Sequence, residues 1–174
     1  MSTADASLTT GLPGLDAVLK GVLAGDNIVW QVDSIDEYQE VAAPYCEAAV
    51  RNGRRLIYFR FARHQPLVAA GPGVEVHELD PEEGFESFIE KIHGVIEESG
   101  PGAFYVFDCL SRLAVDWCSD QMLANFFMLT CPYLFNLETV AYFALYRNYH
   151  TAHALGPIQN TTQLFLDTYR HKGV

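Results

Sequence analysis

Residues 103–108 read AFYVFD, an uninterrupted apolar run that ends on the acidic residue Asp108. Such a run, without polar alternation, is typical of a strand that is buried on both faces of a sheet. Residues 139–146 (TVAYFALY) repeat the pattern, and residues 27–32 (NIVWQV) form a shorter version of it. These three stretches predict the central strands of one sheet.

Segments with helical periodicity lie between the predicted strands. We expect helices over residues 35–52, over residues 85–99 and over residues 120–130, the last one broken by Pro132. Further strands are predicted at residues 55–61, 74–79 and 163–169, the last after a polar loop. Strands that alternate with helices imply right-handed crossovers. The sequence therefore predicts an α/β fold with a mainly parallel sheet flanked by helices on both faces.

Length and composition predict one soluble domain spanning residues 1–174. The chain has 49% hydrophobic residues and a formal net charge of -11, so it repels nucleic-acid phosphates and anionic lipids. Residues 1–10 lack the basic flank and the apolar stretch that are typical of a signal peptide, and no apolar run approaches the roughly 20 residues needed to cross a membrane. We expect a cytoplasmic protein without nucleic-acid or membrane partners. The spacing of the four cysteines, Cys46, Cys109, Cys118 and Cys131, is not typical of zinc ligands or disulfides. We therefore predict that they are reduced structural thiols.

The segment over residues 10–30, TGLPGLDAVLKGVLAGDNIVW, resembles the start of the RecA-like ATPases related to the circadian-clock protein KaiC. That family begins with T-G-(I/L)-P-G-L-D and continues into the strand that leads to the phosphate loop. Residues 103–113 (AFYVFDCLSRL) resemble its Walker B strand, with Asp108 at the acidic position. The resemblance implies a RecA-like fold of the P-loop NTPase type. It also makes a homo-oligomer possible, because RecA-like domains often assemble into rings or filaments.

The phosphate loop of that family has no intact counterpart here. The family pattern G-x-x-G-x-G-K-(T/S) corresponds to residues 32–39, VDSIDEYQ, which contain no glycine. Tyr38 stands at the lysine position and Gln39 at the position of the magnesium-binding hydroxyl. Residues 61–63 also lack the family's catalytic glutamate. We therefore expect no catalytic residue for ATP hydrolysis, and no cofactor or metal.

This degenerate phosphate loop carries three carboxylates. Asp33, Asp36 and Glu37 lie where a helix N-terminus would otherwise attract phosphate. Ser34 and Glu37 have the spacing of a capping box, in which the serine caps a first-turn N–H and the glutamate bonds back to the cap. Two interpretations stay open here: a well-capped structural helix, or a metal site built from Asp33 and Asp36.

Several of the few cations follow the predicted strands at their carboxyl ends, where ligands of parallel sheets gather. The candidate anion-binding rim consists of Arg60, Arg63, His64, Asp108, Arg112 and Arg147. Arginine offers paired donors for carboxylate or phosphate. The alternative is that each arginine pairs with a local carboxylate, as Arg112 could with Asp116, or lies in solvent. His150 and His153 follow in a polar loop, where solvation is sufficient to explain them.

The segment over residues 114–135 carries more aromatic residues than one helical face can bury. Part of it belongs to the core. The remainder, including Trp117 and Tyr133, would suit a hydrophobic interface between copies of the chain.

A second resemblance concerns the whole chain. Residues 25–34, 58–67 and 158–173 look like the amino-terminal KaiC-like region that precedes a phosphoenolpyruvate/pyruvate-binding region of the pyruvate phosphate dikinase type in some bacterial proteins. This resemblance implies that residues 1–174 are the N-terminal part of a longer protein. Its C-terminal phosphoenolpyruvate/pyruvate-binding region would then be the partner.

Three functions follow as hypotheses. The first is a non-catalytic RecA/KaiC-like module for ligand sensing, regulation or assembly, attached to a phosphoenolpyruvate- or pyruvate-utilising enzyme. The second is a divergent Mg-dependent ATP-binding or ATPase domain, in which the rim arginines hold the phosphates and Asp108 holds Mg²⁺ through water. The third is a purely structural oligomerisation domain.

Overall fold

Six parallel strands form one sheet in the computed structural model, which describes residues 8–170. The strands are β1 (Asn27–Val32), β2 (Leu56–Arg60), β3 (Val74–Glu78), β4 (Phe104–Cys109), β5 (Val140–Tyr146) and β6 (Leu164–Asp167). The helices are α1 (Pro13–Leu19), α2 (Ile35–Arg51), α3 (Phe85–Ser99), α4 (Ser111–Asp116), α5 (Asp120–Asn136) and α6 (Ala152–Thr161), with a 3-10 turn at Pro81–Glu83.

The strand order across the sheet is β3-β2-β4-β5-β1-β6. The three most apolar strands, β4, β5 and β1, therefore lie next to one another at the centre. Helices cover both faces, α3, α5 and α6 on one side and α1 and α2 on the other. The predicted α/β fold is confirmed, and the layout is consistent with that of a RecA-like domain.

Aromatic side chains hold the helices to the sheet. On one face, Phe126 and Phe127 of α5 pack against Phe143 of β5. On the other face, the ring of Tyr45 from α2 stacks on Tyr142, with centroids 3.8 Å apart. The Tyr45 hydroxyl lies 2.9 Å from the Val140 carbonyl oxygen and so satisfies its one donor inside the core. Contacts between large aromatic rings thus hold helices to both faces of the sheet.

Two sequence predictions need correction in the last third of the chain. Helix α5 does not break at Pro132 but continues to Asn136. Cys131 and Leu134 beside the proline are fully buried, and Asn27 donates a side-chain hydrogen bond to the Cys131 carbonyl, so tertiary packing outweighs the bond that proline removes. The predicted polar loop before β6 contains helix α6, which is capped by the Thr151 hydroxyl and packs on α5.

The aromatic residues predicted to be available for a hydrophobic interface are only partly exposed. Trp117 and Tyr133 are half-buried, with Trp117 packed edge-on against Phe85 and Phe88. The apolar residues that α5 does expose are Met128, Leu129 and Phe135. Within residues 8–170, no helix combines the length and apolar character needed to span a membrane.

Hydrogen bonds to the Asp16 carboxylate hold the two ends of the T-G-L-P-G-L-D segment together. Asp16 accepts hydrogen bonds from the Thr10 backbone N–H at 2.8 Å and from the Thr10 hydroxyl at 2.7 Å, and the Thr9 hydroxyl donates to it as well. Gly11 has a φ of +78° and passes so close to α2 that an added Cβ would lie 2.2 Å from the Pro44 carbonyl oxygen. This motif docks the amino-terminal segment onto α2.

Replacing Gly11 tests that close approach. Gly11→Ala should lower the free energy of unfolding by about 3 kcal/mol, because the methyl group meets backbone atoms and the left-handed φ is strained. The matched control is Gly14→Ala in α1, where an added Cβ meets nothing within 4 Å. That change should be neutral or stabilising by up to about 1 kcal/mol. Urea denaturation of both variants gives the comparison, and equal stabilities would contradict the proposed close contact.

Candidate functional site at the carboxyl ends of the strands

Asp108, at the Walker B position of the resemblance, is a fully buried carboxylate near the end of β4. One of its oxygens accepts the backbone N–H groups of Phe61 and Ala62, at 2.8 and 2.9 Å. The other accepts the Tyr58 hydroxyl at 2.5 Å and lies 3.2 Å from His64 Nε2. Both oxygens are therefore engaged by the segment that follows β2.

The same network extends further along that segment. The Tyr58 hydroxyl accepts the Leu67 N–H at 3.2 Å while it donates to Asp108. The hydrogen bond to Asp108 raises the pKa of His64, against the opposing effect of its partial burial. The Asp108 carboxylate and the Tyr58 phenol thus hold residues 61–67 next to β4.

Helix α2 begins where the family has its phosphate loop, and its first turn is closed by side chains. Ser34 accepts the Glu37 N–H at 3.2 Å, as the capping box predicts. The Glu37 carboxylate accepts the N–H of Asp33 at 2.6 Å, one residue before the predicted partner Ser34. Gln39 donates to the Leu67 carbonyl at 2.8 Å. The helix start is therefore self-capped.

Tyr38, at the lysine position, points into the core. Its side chain is fully buried and packs among residues of β1, β4 and α2. Its hydroxyl has no hydrogen-bond partner within the described residues. Burial raises the pKa of Tyr38 well above its usual range, so at neutral pH the side chain is an uncharged ring.

These residues do not fit a magnesium nucleotide. The carboxylate that would hold the metal through water already has protein partners at both oxygens. The position that would supply a cation holds a buried phenol, and the N–H groups that would bind phosphate are capped by Ser34 and Glu37. Across residues 8–170, no three His, Cys, Asp or Glu side chains are grouped so as to hold a metal ion. Asp33 instead forms an ion pair with Arg147, and Asp36 is exposed.

The candidate anion rim is only partly assembled. Arg60 pairs with Glu78 at 3.0 Å and donates to the His64 carbonyl. Arg147 is engaged by Asp33 and Asp167 and stacks on the ring of Tyr169, so only 12% of its side chain is exposed. Both arginines are thus paired with carboxylates, Arg60 with Glu78 on the neighbouring strand and Arg147 with Asp33, which is distant in the sequence.

Three other rim residues, Arg63, His64 and Arg112, line one cavity of about 500 Å³. Ser111, Tyr146 and Tyr149 also line it, whereas Asp108 is buried beneath the segment after β2. Arg112 pairs with Asp116 at 3.3 Å but keeps 51% of its side chain exposed. Within residues 8–170 the Arg63 side chain makes neither an ion pair nor a hydrogen bond, so its charge is available to a ligand.

Ser111, which lines this cavity, is hydrogen-bonded to His150 and through it to Asp120, and none of the three was selected from the sequence as a site residue. His150, predicted to be solvated, has a fully buried side chain, whereas its neighbour His153 is exposed as predicted. His150 Nε2 lies 2.6 Å from the Ser111 hydroxyl, and His150 Nδ1 lies 2.6 Å from a carboxylate oxygen of Asp120. The only sequence signal was that Ser111 follows the β4 strand and that His150 follows β5.

The pH dependence of stability tests the contact between His64 and Asp108. Because the folded-state pKa of His64 is raised, its contribution is complete below the unfolded value of about 6.5 and is lost as pH rises through the folded value. The difference in unfolding free energy between the wild type and His64→Gln should therefore be larger at pH 6 than at pH 9. Urea denaturation at several pH values measures it. A difference that stays constant over this range would contradict the assignment.

Comparison with known proteins assigns no family to this geometry. No protein-family model and no curated protein matches the chain. The resemblance to KaiC-like proteins stays an interpretation of the motifs, and the function must be argued from the site itself.

Proposed function

We propose that this chain is a RecA-like module, non-catalytic toward nucleotides, that senses a small anion in the cavity lined by Arg63, His64 and Arg112. The observation that carries the proposal is the engagement of both Asp108 oxygens by three hydrogen-bond donors, with His64 Nε2 only 3.2 Å away. Because both Asp108 oxygens already have protein partners, the carboxylate has no free oxygen for magnesium. The same contacts order the segment after β2, which holds Arg63 and His64 at the cavity.

The charge distribution supports an anionic ligand. The protein is strongly acidic, with a net charge of -11, yet two arginines and a histidine of raised pKa line the same cavity. Arg63 and Arg112 also line a neighbouring pocket of about 300 Å³, whose other charged residues are Asp80, Glu82 and Asp116. These carboxylates repel an anion. The ligand should therefore be small enough to contact the two arginines without approaching these acidic side chains, as a carboxylate or a phosphate is.

The resemblance narrows the ligand class further. If the chain belongs to a phosphoenolpyruvate- or pyruvate-utilising enzyme, a small phosphorylated or keto acid is the natural effector. Its binding to this module would regulate the chemistry of the attached region. Such a ligand would stabilise the folded module by an amount that grows with the logarithm of the ratio of its concentration to the dissociation constant.

Assembly is the second candidate function, and the solvent face of α5 favours it. Met128, Leu129 and Phe135 are 40%, 51% and 50% exposed, and Pro132 between them is also exposed. The helix carries no charged residue after Asp120. An uncharged apolar face of this kind suits contact with another copy of the chain.

Thermal unfolding with parallel ligands tests the sensing function. Phosphoenolpyruvate or phosphate at about a hundred times its dissociation constant should raise the melting temperature by about 5–10 °C, with or without EDTA. Arg63→Ala should abolish the shift. Arg51→Ala is the control, since it removes the same charge at the far end of α2. A shift produced only by ATP with Mg²⁺ would contradict the proposal and favour the divergent ATPase.

Light scattering at tens of micromolar tests assembly. We expect a species larger than a monomer for the wild type, and a monomer for the double variant Met128→Lys with Leu129→Lys, because two ammonium groups on the apolar face oppose its burial. Gln121→Lys adds a charge to an exposed polar position of the same helix and should leave the assembly unchanged. A monomeric wild type would exclude this candidate.

A further inference from the structure

We propose that Ser111, His150 and Asp120 form an acyl-transfer site that takes a small carboxylic ester, with Ser111 as the nucleophile. The inference goes beyond the proposed function, because it adds covalent chemistry to the cavity and does not depend on anion binding. It rests on one linear hydrogen-bonded array and on the cavity beside it.

The three side chains come from three different elements. Ser111 begins α4 directly after β4, Asp120 begins α5, and His150 lies between β5 and α6. The Ser111 hydroxyl lies 2.6 Å from His150 Nε2, and Asp120 lies 2.6 Å from His150 Nδ1. A nucleophile within reach of a base, with the base oriented by a third group, is the arrangement that activates a serine.

The hydrogen-bond partners determine where the protons lie. Asp120 as a carboxylate can only accept, so His150 Nδ1 donates to it and His150 Nε2 is left as the acceptor. The Ser111 hydroxyl then donates its proton to Nε2. This is the protonation state in which histidine can act as a general base toward the serine.

Backbone donors hold both ends of the array. Tyr146 donates its N–H to the Ser111 hydroxyl at 2.8 Å, which leaves one oxygen lone pair for attack. Thr151 donates its N–H to the second oxygen of Asp120 at 2.9 Å. Burial alone would raise the pKa of Asp120, but the hydrogen bonds from His150 and Thr151 lower it below its usual range. Asp120 is therefore charged at neutral pH and keeps His150 oriented.

The cavity provides the substrate side of the site. Ser111 and Tyr146 line it together with Arg63 and Arg112, and its volume is about 500 Å³. The arginines add positive charge to the cavity, which favours a substrate that carries an acidic group. The His150 side chain is fully buried, so its orientation is set by Ser111 and Asp120. These features favour an ester of a small acid.

The reaction balances without any co-reactant other than water. The Ser111 oxygen attacks the carbonyl carbon while its proton moves to His150 Nε2. The ester C–O bond then breaks, and the leaving alkoxide takes that proton and departs as an alcohol. Water next gives a proton to Nε2 and attacks the acyl group on Ser111. The carboxylic acid is released, and the proton returns to the Ser111 oxygen.

A fluorophosphonate probe tests the nucleophile directly, because an activated serine displaces fluoride and forms a stable phosphonyl ester. Mass spectrometry of the labelled wild-type protein should place the adduct on Ser111. His150→Gln should react at least about 100-fold more slowly, since the general base is removed. Ser87→Ala, which removes an exposed hydroxyl on α3, should leave the rate unchanged.

The mapping on the wild type needs no variant to fold and decides the question by itself. An unlabelled wild type, or an adduct on another residue, would overturn the proposal, as would an unchanged rate in a folded His150→Gln protein. Hydrolysis of p-nitrophenyl acetate gives a second readout, expected in the wild type and absent in Ser111→Ala. Both measurements are made without added anion, so their failure is distinguishable from a failure of anion sensing.

Discussion

The buried carboxylate of Asp108 is the constraint on which the rest of the site depends. An ionised carboxylate removed from water costs several kcal/mol unless donors surround it. The chain supplies those donors from the segment after β2, through two backbone N–H groups, a phenol and an imidazole. The position of Arg63 at the cavity follows from this wrapping, because residues 61 and 62 are held directly by the carboxylate. The same contacts that exclude a metal ion therefore build the alternative binding surface.

Most of the fold could be predicted from the sequence. The buried strands β1, β4 and β5 begin and end within about one residue of the apolar runs that predicted them, because a strand covered on both faces consists mostly of apolar residues. The continuation of α5 through Pro132 and the formation of α6 could not be predicted, since both depend on packing between these two helices. Local preference for a break or a loop was overridden by tertiary contacts.

The site was less predictable, for a different reason. The sequence shows that the arginines follow strands β2, β4 and β5. It does not show which carboxylate pairs with each arginine. Arg147 is paired with Asp33, 114 positions away in the chain, and lies under Tyr169. Likewise, Ser111 and His150 are 39 residues apart and meet only because β4 and β5 are neighbours in the sheet. Such pairings belong to the topology and not to any local pattern.

The burial of Tyr38 has an evolutionary consequence. A lysine placed at position 38 would have to bury an ammonium group in an aromatic and aliphatic core, at a cost that exceeds the stability margin of many domains. Nucleotide chemistry would in addition require glycines in the first turn of α2 and the release of Asp108 from four partners. A working phosphate loop would therefore require concerted changes in the core, in the first turn of α2 and around Asp108, because each of these three regions is already occupied by contacts of the fold.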